Sequence, residues 1–152
     1  MLITDALLGE HAVFYLLFQD IEQALPTLDT VAALQHRVAP LAFSLEAHAR
    51  LEDELLFTAL EPVLGTQGGP LAVMRIEHDQ IVNLLERTLA ATDLDRGRVF
   101  AAQTIEVGRD HFHKEELVLF NLARQFLGEP VLLALGAQWA GRRLPWSASD
   151  VP

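Results

Sequence analysis

The chain has 152 residues, a formal net charge of −10, 51% hydrophobic residues and no cysteine. That length suffices for one domain with a buried core, while the missing thiols exclude disulfides, zinc–thiolate sites and thiol redox chemistry and fit a reducing cytoplasm. The acidic balance promotes solubility and cation entry and argues against nucleic acid or an anionic membrane as partner.

Leucine and alanine dominate and β-branched runs are scarce, which favours helix. The N-terminus, MLITDALLGEH, has no basic n-region and no long apolar core, so it does not read as a signal peptide. No segment offers the ~20 uninterrupted apolar residues of a membrane span. A cytoplasmic protein is the expectation.

The first helix runs roughly from Asp5 to Leu25 and stops at Pro26, with Thr27 and Asp29 as caps for the next. The second runs roughly from Thr30 to Leu64, with Pro40 expected to kink it. Gly65, Gly68, Gly69 and Pro70 break the chain. A third helix spans roughly Leu71 to Ala91. Thr92 to Asp95 ends it and offers a cap for a fourth, roughly Arg96 to Leu127, with Gly128 as C-cap. Pro130 opens a shorter apolar helix to about Ala140, and a loose tail is expected from Gly141. Short connections between long helices predict an all-α, up-down-up-down four-helix bundle with a short C-terminal helix, a single domain over residues 1–152.

Apolar positions spaced alternately three and four apart define a buried seam on each helix. The first seam is Leu7, His11, Phe14, Phe18, Ile21, Leu25. The second is Leu34, Val38, Leu41, Leu45, His48, Glu52, Leu55, Ala59. The third is Leu71, Met74, His78, Ile81, Leu85, and the fourth Ala101, Thr104, Gly108, His111, Glu115, Val118, Leu122. Four histidines and two glutamates thus occupy slots that should be apolar. His36 and His113 fall off the seams and read as surface residues, as do the charges of Asp53, Glu54 and Glu77. With turns near residues 27, 66 and 95, a rise of 1.5 Å per residue leaves level mismatches of roughly 1.5 to 7.5 Å, so the six side chains can meet in one layer.

A four-residue step sets two side chains on one helical face, so His48/Glu52 and His111/Glu115 each present an imidazole beside a carboxylate. His11 and His78 add one imidazole each. A carboxylate can bridge two metals and an imidazole binds one. The economical arrangement is two metals, each with two histidines, sharing Glu52 and Glu115. Oxygen bridges from water or hydroxide would raise the coordination and leave room for a small ligand. Imidazole with carboxylate suits iron, manganese or zinc, and a buried unpaired glutamate is costly enough to need such compensation. Tyr15, one turn after His11, is a candidate second-layer donor or an ordinary flank residue. Gly108, one turn before His111, either leaves space for a small molecule or admits a neighbouring side chain.

The four histidines in this order resemble the hemerythrin-like family, the HHE cation-binding domain. The local text is similar too: His48-Ala-Arg-Leu-Glu52 runs into Leu55-Leu56-Phe57, and His111-Phe-His-Lys-Glu115-Glu116 into Val118-Leu119-Phe120. Glu129 to Arg143 resembles the family's short C-terminal helix. The resemblance implies a non-haem centre of two iron ions that meets O2, NO or peroxide. It also raises Glu116 as the alternative to Glu115 for the second bridge, since members differ by one residue there. Met74 stands where oxygen-carrying hemerythrins have a further histidine, which argues against reversible O2 storage. The Leu-Phe-Pro that often follows each pair in the family is Leu-Phe-Thr58 and Leu-Phe-Asn121 here, a change expected to matter only at helix ends.

Four functions follow as expectations: binding or sensing a small diatomic ligand or oxidant, handling iron, reducing peroxide or NO, or a metal-free structural bundle. A sensor with no output domain in these residues needs a protein partner. An oxidoreductase needs an electron source, and no flavin or nicotinamide motif is present. The cysteine-bearing segment of iron-repair relatives is also missing. The balance leans away from an enzyme and towards di-iron binding.

Overall fold

The computed structural model describes residues 1–143. Of the tail expected to be loose, Gly141 to Arg143 is helical, and the rest lies outside the described residues.

All regular structure among these residues is helical. α1 (Ile3–Ala24) runs into a 3-10 turn, Leu25–Thr27, that takes up Pro26. α2 (Val31–Leu51) is capped by Thr30, whose hydroxyl accepts from the Ala33 N–H at 3.1 Å. The cap therefore falls on Thr30 and not on Thr27 or Asp29; Thr27 instead donates to the Ala24 carbonyl at 2.9 Å, closing α1. Pro40 is held inside α2 without ending it. A π-helical turn, Glu52–Phe57, leads on into α3 (Thr58–Leu64). Gly65 closes α3 with φ at 76°, a conformation that a side chain disfavours.

α4 spans Gly69–Leu89. α5 (Leu94–Lys114) starts at Asp93, whose carboxylate accepts from the Arg96 N–H at 2.9 Å. A second π-helical turn, Glu115–Leu119, leads into α6 (Phe120–Arg143). α6 is broken at Gly128, where φ is 73° and ψ 163°, and Pro130 follows just beyond. The break separates a short C-terminal helix, as the sequence implies.

The core forms two apolar clusters. One gathers Ile3, Leu7, Leu55, Leu60, Leu71 and Phe120 with Leu132 and Leu135 of the C-terminal helix. The other gathers Phe14, Phe18, Leu34, Leu41, Ile81 and Ile105. The buried histidines and glutamates fall between them in sequence on every seam. Gly136 lets the C-terminal helix lie against the start of α1: a Cβ there would come within 2.2 Å of the Met1 carbonyl oxygen. The stretch Leu94–Arg143 holds an 18-residue window of mean hydropathy 1.3, apolar enough by composition for a membrane span. Gly128 breaks this stretch, and its Leu119, Phe120, Ala123 and Leu132 enter the core.

The seams hold up to the glutamates and then slip by one residue. Leu60 is buried in place of Ala59, and Leu119, Phe120 and Ala123 are buried while Val118 is 51% exposed. The cause is the π-helical turn after each His-x-x-x-Glu, which inserts one residue into the helical period. Thr58 and Asn121 stand at the exits of these turns and not at helix ends. Thr58 Oγ1 donates to the Asp53 carbonyl at 2.9 Å, and Asn121 Nδ2 donates to the Leu117 carbonyl at 2.8 Å.

Candidate metal centre

His11 on α1, His48 on α2, His78 on α4 and His111 on α5 meet Glu52 and Glu115, the first residues of the two π-helical turns. Glu52 and Glu115 are fully buried, and none of the four histidines is more than 6% exposed. His36 and His113 are exposed. The inward atoms form two groups of four, His11/His48/Glu52/Glu115 and Glu52/His78/His111/Glu115, with every member of a group within 4.8 Å of the others.

All four histidines turn Nε2 inward. Glu52 Oε1 lies 3.2 Å from His48 Nε2 and 3.7 Å from His11 Nε2, while its Oε2 lies 3.4 Å from His78 Nε2. Glu115 Oε2 lies 3.5 Å from both His11 Nε2 and His111 Nε2. His11 Nε2 and His48 Nε2 are 3.2 Å apart. Neither oxygen of Glu52 or Glu115 receives a well-directed hydrogen bond, nor do His78 and His111 have one at Nε2. Buried polar atoms are rarely left so. A layer of lone pairs converging on unfilled contacts fits divalent cations, and the imidazole–carboxylate set suits iron, manganese or zinc.

The outward ring nitrogens each face a carboxylate. His48 Nδ1 donates to Glu10 at 2.6 Å, His11 Nδ1 to Glu116 at 2.9 Å and His111 Nδ1 to Glu77 at 3.0 Å. His78 Nδ1 lies 3.5 Å from Asp53. A proton held on Nδ1 leaves the Nε2 lone pair pointing inward, the tautomer a metal requires. Asp53 and Glu77 therefore stand behind histidines and are not simple flank charges, whereas Glu54 lies at the surface, paired with Arg142. Glu116 is turned away from the layer, and the Tyr15 hydroxyl donates to it at 3.3 Å, placing Tyr15 one residue removed from His11.

Phe112 stacks on His11 with centroids 4.0 Å apart, and Phe57 lies parallel to His78 at 5.5 Å. Neither stands on a predicted seam. A cavity of about 10 Å³ touches His48, His78 and His111 and is otherwise mostly apolar, lined by Leu45, Ala49, Ile81 and Phe112 among others. Gly108 serves packing: a Cβ there would sit 2.8 Å from Phe18 Cζ. Met74 is an ordinary member of the core.

Protein groups alone share protons unevenly across the layer. Burial raises Glu52, but the charge of His48 and contacts with His11, His48 and His78 outweigh it and hold the carboxyl well below the usual range. Glu115 is pushed well above it by burial and by the charge of Glu52. Burial works against the His78 cation, yet Asp53 and Glu52 carry it up to about 9. His111 is pulled down to about 4 by burial and by the charge of His78.

Residues 2–123 match the family model for the hemerythrin HHE cation-binding domain. Comparison with curated proteins and with solved structures found no match.

Proposed function

The chain belongs to the hemerythrin HHE cation-binding family, and we propose that it is a non-haem di-iron protein that binds or senses a small oxidant such as O2 or NO, or handles iron. The observation that carries this reading is the division of the inward atoms into two groups of four that share Glu52 and Glu115. His11 and His48 would hold one ion and His78 and His111 the other, with Glu52 and Glu115 between them. Glu116 is assigned to orient His11 and not to bridge, because its Oε1 faces the outer ring nitrogen of His11 and the Tyr15 hydroxyl. The up-down-up-down course of the helices belongs to the same reading.

A bound iron pair supplies redox and Lewis-acid chemistry. The chain does the rest. Glu10, Glu116 and Glu77 hydrogen-bond three of the histidine rings and Asp53 faces the fourth, which pre-arranges the donors. Phe112 and Phe57 wall two of the rings. The cavity beside His48, His78 and His111 is on the scale of a single water-sized guest, which favours a small ligand over a bulky one.

Metal content per chain, measured by mass spectrometry on protein expressed with iron and purified without chelators, tests this. About two metal ions per chain are expected, with zinc a known misloading of such donor sets. A folded protein that takes up no metal from an iron-supplied preparation sinks the reading. Replacing Glu52 and Glu115 together with Ala should abolish two-ion binding, whereas His36→Ala and His113→Ala should leave the content unchanged.

A further inference from the structure

Of the four carboxylates behind the histidines, Glu10 is held differently. Glu116 is met by Tyr15, Glu77 by Lys114 and Asp53 by Arg75, all within the family-matched residues 2–123. Glu10 is met by the C-terminal helix, which lies beyond them. Trp139 Nε1 donates to Glu10 Oε1 at 3.1 Å. Arg143 donates from Nε to Oε1 at 2.6 Å and from an Nη to Oε2 at 3.1 Å. With the bond from His48 Nδ1 at 2.6 Å, the carboxylate has four donors, about its full capacity. Its side chain is only 16% exposed.

Resting on the metal-centre reading above, we infer that Trp139 and Arg143 are positioning residues for His48, acting through Glu10, so that docking of the C-terminal helix and metal binding in the His11/His48 group stabilise each other. Glu10 fixes the ring plane and tautomer of His48 only while its own carboxylate is fixed. The Arg143 fork sets both oxygens at once, which a lysine could not do. Trp139 closes the remaining side. Coupling is reciprocal by linkage: if the docked helix tightens the metal, the bound metal tightens the helix. Among the described residues the His78/His111 group has no such connection, since its outer carboxylates are met within the bundle.

The adjacent Arg142 supplies the control. It sits on the same helical end and pairs with Glu54, which touches none of the four histidines. Arg143→Met, Trp139→Phe and Arg142→Met are compared with the parent protein by chelator competition with iron(II) under anaerobic conditions. Arg143→Met should weaken one of the two bound ions about tenfold, the lower end of the range for loss of a ligand's own outer partner, and leave the other unchanged. Trp139→Phe should act in the same direction, and Arg142→Met should not. Amide hydrogen exchange of residues 130–143 in the parent protein gives a second measure that needs no variant: iron should slow it.

Unchanged affinities in Arg143→Met, or equal weakening by Arg142→Met, would overturn the inference, the latter by reducing it to general helix docking. Exchange in residues 130–143 indifferent to iron would also overturn it. Failure of the parent protein to bind metal strikes the metal-centre reading instead, and is seen first.

Discussion

His78 concentrates the residue-scale chemistry. Its Nε2 faces Glu52 and its Nδ1 faces Asp53, and together they hold its proton up to about 9. A metal can take the Nε2 lone pair only after that proton leaves. The bound state therefore carries fewer protons than the free state, and apparent affinity must rise with pH until about 9. Metal uptake at pH 7 should acidify a weakly buffered solution, and calorimetry in buffers of different ionisation enthalpy reads the same release. Uptake with no net proton release would mean that His78 is not a ligand or is not protonated. The six seam residues were legible because polar groups stood where the helical period demands apolar ones. The carboxylates behind them were not. Each of Glu10, Asp53, Glu77 and Glu116 is chain-adjacent to a seam residue, about 100° round the helix, and reaches a histidine on another helix. One-helix periodicity sees such a residue as a flank. An acidic residue directly beside His11, Glu52, His78 and Glu115 was the available signal, although His48 stands between two alanines.

At the scale of elements, the helix runs, the Gly65–Pro70 break and the bend at Gly128 follow from punctuation that any sequence displays. The two π-helical turns do not, because an inserted residue leaves no single marker. Its trace is the misplaced burial of Val118 and Ala59 relative to Leu119 and Leu60, and the triple Leu55-Leu56-Phe57, which no strict seam accommodates. On sequence alone Gly108 suits either a small molecule or a neighbouring side chain; in the structure α1 and α5 interlock there. Phe18 fills that notch, is fully buried, and lies parallel to Phe112 at 5.8 Å. A methyl group there has nowhere to push the ring, so Gly108→Ala should destabilise the protein by about 1–3 kcal/mol, in the range of overpacked cores. Thermal unfolding measures this. Metal stoichiometry should be unchanged, since Phe18 is not at the layer. A variant that melts like the parent would mean the helices can spread there at no cost.

For the molecule as a whole, the buried His/Glu layer is a stability liability that metal binding would reverse. Glu115 is fully buried, and the charges of Glu52, Glu77, Asp53 and Glu116 all resist its ionisation. A carboxyl whose folded pKa is raised contributes stability below its unfolded value, near 4.5, and loses it as pH rises through the folded value. At pH 7 the metal-free protein therefore carries this cost, whether as an ionised buried carboxylate or as a proton held against bulk pH. Glu115→Gln keeps the shape and removes the charge. It should raise the melting temperature of the metal-free protein at pH 7, by roughly 2–4 °C for each kcal/mol recovered in a chain of this size. The same variant should lose most of the rise in melting temperature that iron gives the parent, because a neutral amide is a poor bridge between cations and ligand binding stabilises only the state that binds. The two melting curves should therefore cross: the variant higher without metal, the parent higher with it. A metal-free variant that melts below the metal-free parent would show that Glu115 is stabilised in the layer by protein groups alone, and the electrostatic account of the site would fail with it.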